Sequence, residues 1–293
     1  IKVQDFIMGI FMRKCDICIS LTGYVYAPRI AQKKGAIIIM ERGSKHILEQ
    51  KKILEKNPHK KNEAIPNRNI KCNLKAYQFA NFISVASQHV KESFLLHQYP
   101  ENRIFVNPYG VDLSMFKPLP NIPKKYDVIM VGGWGYEKGC DLIVEAIRKT
   151  NYSFIHVGSI KDVDFPQEKN FTHIDPVDQS KLIEYYNQAK VFILPSRQDG
   201  FGMVLSQALA CNLPIIGSNN CGAPDLKKMV ELPEYITIIK DYTADAIVTA
   251  IHTAIKNYEQ LGERIYAGNA IENLTWEAYG KRYANFLHKI IKQ

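Results

Sequence analysis

The chain has 293 residues, enough for two domains of ordinary size, and its 46% hydrophobic and 23% charged residues are the balance of a soluble globular protein. Its net charge of +9 is lopsided, with 19 lysines and arginines against 9 acids up to residue 120 and 19 against 20 thereafter. No apolar run approaches the roughly 18 residues of a membrane-spanning helix, and no zinc-finger spacing, RNP-type motif or aromatic-interleaved basic helix points to nucleic acid.

The basic first part suits a phosphate-rich acceptor or peripheral contact with an anionic membrane surface. A plain solvated face gives the same count. The opening segment lacks a charged leader and a small-residue cleavage site, so it does not read as a secretory signal. Cysteines at 15, 18, 72, 140, 211 and 221 are scattered, and the Cys15/Cys18 pair has no second pair to complete a zinc site. They read as buried free thiols in a reducing, cytoplasmic setting.

In chain order, strands are expected at 16–21, 36–40, 82–86 and 104–107. Then follows 117–125 (KPLPNIPKK), whose three prolines favour an extended connector. Further strands are expected at 126–131, 153–157, 171–174, 191–194, 214–217 and 236–239, separated by helices such as 140–149, 180–189, 203–211 and 244–258. A last amphipathic helix spans about 276–292. Continuous apolar runs such as AIIIM and VFIL are typical of parallel strands buried on both faces, so the fold class is α/β with doubly wound parallel sheets.

The densest chemistry lies in 194–214, LPSRQDGFGMVLSQALACNLP. A strand ends in a polar loop and a helix begins near Gly202. Gly200 and Gly202 permit close backbone approach, and the free amides of Met203 and Val204 at the helix start favour an anion such as a diphosphate. Asp199 stands just before them, and Gln207 is one turn inside the helix on the side leaning back toward it. On spacing alone, a capped core helix explains the segment equally well. A second segment, 128–146 (VIMVGGWGYEKGCDLIVEA), runs a strand into a glycine-rich turn, but its glycines are spaced one residue too widely for a dinucleotide fingerprint. His46 and Arg42 follow the strand at 36–40, where open α/β sheets bind ligands, and begin a basic helical stretch at 46–61. A lone histidine there is more often structural.

These segments resemble the signature of family 4 retaining glycosyltransferases of the GT-B fold. In that family PS-x-x-E-G-F-G is followed by a second Glu and A-x-A-x-G-x-P. Here Pro195, Ser196, Gly200, Phe201, Gly202, Ala208, Ala210 and Pro214 are in register, while Asp199 and Gln207 replace the two glutamates. NPYGVDLSMFKP at 107–118, NCGAPD at 220–225 and LTWEAYGKRY at 274–283 resemble further family segments. The resemblance implies two Rossmann-like domains facing across a cleft, the first incomplete. Residues 1–119 would form the acceptor domain, 120–275 the donor domain, and 276–293 a helix crossing back.

It also implies a metal-independent transfer from a nucleotide diphosphate sugar, UDP- or GDP-linked, to a glycan or lipid-linked hydroxyl. Lys138 would neutralise the diphosphate, and Gly133, which stands where the family often has Arg, would lose a contact that Arg197 replaces. Asp199 would bind sugar hydroxyls and Gln207 the ribose, with Arg42 and His46 as catalytic candidates on the acceptor side. The D-x-D at Asp162-Val163-Asp164 is isolated in a loop, and no carboxylate cluster offers to hold a metal. A GT-B epimerase and a non-catalytic sugar-nucleotide-binding protein are the alternatives.

Overall fold

The computed structural model describes residues 3–59, 65–262 and 264–292. The first part comprises α1 (Val3–Ile10), β1 (Ile17–Leu21), α2 (Tyr26–Lys33), β2 (Ile37–Arg42), α3 (Ile47–Leu54), α4 (Asn67–Phe79), β3 (Phe82–Val85), α5 (Gln88–Leu95) and β4 (Ile104–Val106). Its four strands pair in parallel in the order β1-β2-β3-β4. Ile38, Ile39 and Met40 in β2 are all fully buried, because helices cover both faces of the sheet and no alternation is needed. Helix α1 was not among the expected elements. Its Asp5 is buried and accepts the amides of Val25, Tyr26 and Ala27, capping α2. The basic helix expected over 46–61 is shorter in the structure, since α3 closes at Leu54; residues 60 and 61 lie outside the described residues.

The second part comprises β5 (Tyr126–Val131), α6 (Cys140–Arg148), β6 (Phe154–Val157), β7 (Phe171–Ile174), α7 (Gln179–Gln188), β8 (Ala189–Leu194), α8 (Met203–Ala210), β9 (Ile215–Ser218), α9 (Ala223–Lys227), β10 (Ile236–Ile239) and α10 (Ala244–Leu261). Its six strands are parallel, in the order β10-β9-β8-β5-β6-β7. The chain winds outward from β5 through β6 to β7, then returns to the centre and winds the other way through β8, β9 and β10. The strand order therefore reverses between β5 and β8. Loops leaving the carboxyl ends of two such strands diverge and leave a crevice, which is where open α/β sheets take their ligands.

Helix α11 (Trp276–Ile291) leaves the second sheet and packs on the first. Phe286 stacks on Phe105 with ring centroids 4.1 Å apart, and Tyr283 and Ile290 pack with Ile39. Where the chain returns, the Val111 amide donates to the Leu274 carbonyl at 2.7 Å, so the two connections between the sheets run side by side. All ten expected strands are present to within two residues. The thiols divide: Cys140, Cys211 and Cys221 are buried, whereas Cys15, Cys18 and Cys72 are half-buried, so burial was overestimated for the CxxC pair. Among the described residues no helix is long and apolar enough to cross a membrane.

Candidate active site

The crevice between β5 and β8 is built by two loops forced together. The loop after β5 runs through Gly132 and Gly133 to a single turn at Tyr136–Lys138, and Gly139 then starts α6 with φ +75°. A Cβ on Gly139 would stand 2.5 Å from the Pro195 carbonyl of the loop after β8, and only glycine also takes that φ without strain. The Arg197 and Gln198 amides donate to the Glu137 carbonyl, tying the loops further.

This brings Lys138 and Asp199 together. The ammonium Nζ lies 2.5 Å from Asp199 Oδ2, with both side chains about four-fifths buried. Burial pulls Lys138 down, but the attraction of Asp199 and its hydrogen bond outweigh that and raise it, so the lysine stays charged. Just beyond, α8 begins at Gly202 (φ +79°) with no side chain capping it. The amides of Met203 and Val204 therefore open the helix beside the pair, with the positive end of the helix dipole behind them.

Other expected site residues are placed differently. Arg197 is committed elsewhere: its Nη1 and Nη2 donate to both oxygens of Asp141 at 2.6 and 2.7 Å, Nη1 also bonds the Tyr136 carbonyl, and the guanidinium lies 3.8 Å from the Tyr136 ring centre. A fork satisfied bidentately and stacked on a ring is not free for a phosphate. Phe201 is a core side chain, 1% exposed and packed on Gly222. Gln207 is buried and its Oε1 accepts from the Tyr186 hydroxyl at 2.9 Å, so its one carbonyl is turned into the core.

Arg42 and His46 also have other partners. Arg42 is buried; its guanidinium donates to the Lys45 carbonyl, Gln50 and Asn73, and so holds its own loop closed. His46 is 5% exposed, stacks on His97 at 4.0 Å, and its Nδ1 caps α3 by accepting the Leu48 amide. Burial chiefly, with the nearby His97 and Arg42, drives it down to about 3, so it is neutral at physiological pH. Both residues shape the 42–46 loop instead of reaching the crevice.

That loop nonetheless meets the crevice through residues that the sequence reading passed over. Gly43 packs so closely on Gly200 that a Cβ there would stand 2.1 Å from the Gly43 carbonyl. Gln198 donates to Ser44 at 2.5 Å, and Lys45 donates to Asn220 at 2.6 Å. From the start of α5, Ser87 donates to the Gly200 carbonyl and His89 Nε2 to the Asp199 carbonyl at 2.7 Å. The only signal for these contacts was a small-residue loop at the end of a buried strand. The first sheet is thus closed onto the loop after β8. The space left is a cavity of about 190 Å³ lined by Leu54, Asn57, Gly133, Gly135, Glu137, Lys138, Lys161 and Asp162. Burial raises the Glu137 carboxyl within it. Among the described residues no group of three or more His, Cys, Asp or Glu side chains is placed to hold a metal ion.

Two parallel sheets with their helices, the second doubly wound, closing on a loop–helix crevice at its strand-order reversal, have the GT-B fold. Residues 114–270, more than half of the chain, match the glycosyl transferases group 1 family, and the chain belongs to it. Among its relatives, a probable sucrose-phosphate synthase of Thermosipho melanesiensis is 26% identical over 73% of this chain. A GDP-mannose-dependent alpha-(1-6)-phosphatidylinositol monomannoside mannosyltransferase of Mycolicibacterium smegmatis is 23% identical over 71%. The chain spans 56% and 62% of these two relatives' lengths. In fold it is similar to a sucrose-phosphate synthase of Thermosynechococcus elongatus (TM-score 0.69, 16% identity, 94% of this chain and 74% of that one). It is also similar to Anabaena HepE solved with UDP and glucose (TM-score 0.68, 14% identity, 88% and 73%).

Proposed function

We propose that this chain carries the donor site of a retaining glycosyltransferase of family 4 type. It would move a sugar from a UDP- or GDP-linked donor to a hydroxyl of a glycan or lipid-linked acceptor. Residues 120–275 bind the donor, 1–119 face the acceptor, and 276–293 tie the two together. Both nucleotides occur among the similar proteins, GDP-mannose in the name of the mannosyltransferase and UDP in the HepE structure.

The Lys138–Asp199 pair beneath the uncapped start of α8 carries this reading. As the bond to the anomeric carbon breaks, negative charge gathers on the leaving diphosphate. Lys138 and the amides of Met203 and Val204 are fixed where that charge develops, and stabilising it there lowers the barrier without a metal ion. When Lys138 turns to phosphate it releases the Asp199 carboxylate, which then accepts from sugar hydroxyls and faces the positive charge building near the ring. Gly200, Gly202 and Gly133 keep the backbone close. Gln207, its carbonyl held by Tyr186, contributes an NH₂ donor toward the nucleotide where a glutamate would accept. That substitution also favours a second reading, a sugar-nucleotide-binding protein without turnover, which product formation from any donor would end.

Thermal unfolding with UDP, GDP, ADP and their sugars tests the donor site. A ligand at 100 times its Kd adds about 2.7 kcal/mol, or several degrees in Tm for a chain of this size. One base should give such a rise, and Lys138→Ala should abolish it. A folded protein whose Tm no nucleotide moves would overturn the proposal.

A further inference from the structure

Arg197 is locked to Asp141, and the cavity beside Lys138 is lined by one other lysine, which lies outside every recognised motif. Lys161 follows β6, and its amide donates to the Trp134 carbonyl, which fixes its backbone against the loop after β5. From there the side chain lies across Gly133. A Cβ built on Gly133 would stand 2.3 Å from Lys161 Cε and 2.8 Å from Nζ. The lysine end therefore fills the space where a side chain at position 133 would begin, and Lys161 and Lys138 line the same cavity of about 190 Å³.

The two ammonium groups differ in state. Lys138 is held by Asp199, whereas among the described residues no carboxylate pairs with Lys161. Its neighbour Asp162 is already engaged, Oδ1 by the Tyr136 amide and Oδ2 by Asn57. The charge of Lys161 is nonetheless felt inside the cavity. The Glu137 carboxyl stays raised, chiefly by burial, with Lys138 and Lys161 opposing the rise and Asp199 adding to it. An exposed, unpaired ammonium poised over a glycine turn can swing onto an incoming anion without breaking any contact.

We infer that Lys161 is the second phosphate-binding cation of the donor site, occupying in space the place that Gly133 leaves empty in sequence. This rests on the donor-site reading above. A side chain at residue 133 would displace the end of Lys161 from this position.

Calorimetric titration of UDP, GDP, uridine and guanosine into the whole chain tests it. Lys161→Ala should weaken the preferred nucleoside diphosphate about tenfold, the scale of one charge-assisted hydrogen bond, and leave the matching nucleoside unaffected. Gly133→Arg should weaken binding in the unaltered background by colliding with Lys161. In the Lys161→Ala background the same change should restore it. Lys161 is exposed, so Tm without ligand should hold in Lys161→Ala. If Lys138→Ala weakens the diphosphate while Lys161→Ala does not, this inference fails and the donor site stands. If no nucleotide binds, or neither lysine matters, both readings fall.

Discussion

His46, His89 and His156 are each held below the usual imidazole range, to about 3, 4 and 4, with burial the largest cause in all three. Close neighbours add to it: His97 and Arg42 beside His46, Lys45 beside His89, and His173 beside His156. The unfolded chain takes up protons on these rings below about pH 6.5 and the folded chain does not. Stability should therefore be undiminished by them above pH 6.5 and fall steadily from there to about pH 4, by at most about 1.4 kcal/mol per pH unit for each ring. Urea midpoints across this range measure the slope, and His89→Asn should make it shallower. A midpoint unchanged from pH 7 to 4.5 would mean the rings are solvated. The same residues show what the sequence conceals. Position after a buried strand suggested catalysis for Arg42 and His46, but the direction of a side chain is decided by partners such as Asn73 and His97, 31 and 51 residues away in the chain. The engagement of Arg197 is hidden for the same reason, its partner Asp141 lying 56 residues away in α6.

At the scale of elements, the sequence was far more legible. Apolar runs such as those of β2 and β8 announced their strands because parallel strands are covered on both sides, and the glycine loops announced the starts of α6 and α8. What could not be read was the order β10-β9-β8-β5-β6-β7, since nothing in a strand names its neighbour. Helix α1 was missed because it is short and its large apolar side chains, Val3, Phe6, Ile7, Met8 and Ile10, are all exposed. Helix α11 was expected to cross back to the first part, though not the side chains that hold it there. It rests on the first sheet through Phe286 against Phe105 and Phe82, and through the Tyr283 hydroxyl to Glu41 at 2.5 Å. Phe286→Ala should cost about 2 kcal/mol, somewhat less than the 3–5 of a fully buried phenylalanine because this ring is half-exposed. Faster hydrogen exchange should follow in β4 and the 276–291 helix while β5 to β10 keep their protection. Protection lost evenly across both sheets would show that the helix does not belong to the first sheet as a separate unit.

Across the whole molecule, the two sheets meet at the loops after β8 and β9 through Gly43–Gly200, Ser87–Gly200, Gln198–Ser44 and Lys45–Asn220. Gly200→Ala would put a methyl 2.1 Å from the Gly43 carbonyl, which a backbone atom cannot yield to, so the halves must part. The variant should show a larger radius of gyration by small-angle scattering, with the Tm lowered only modestly. An unchanged radius would mean that the loops give way and the closure does not.

The two side-by-side connections settle what kind of parting is open to the molecule. Val111 bonded to Leu274, with Arg282 donating to Asn107 and Pro108, joins the outgoing and returning strands of the chain into one pin. Two leaves fastened at a single edge cannot slide or shear past one another; they swing. Gly110 is the clearance in that joint, since even a Cβ there would stand 2.4 Å from the Trp276 amide nitrogen. A swing about this joint parts the contacts that Gly43, Ser44, Lys45 and Ser87 make with the loops of the second sheet, and leaves each sheet whole.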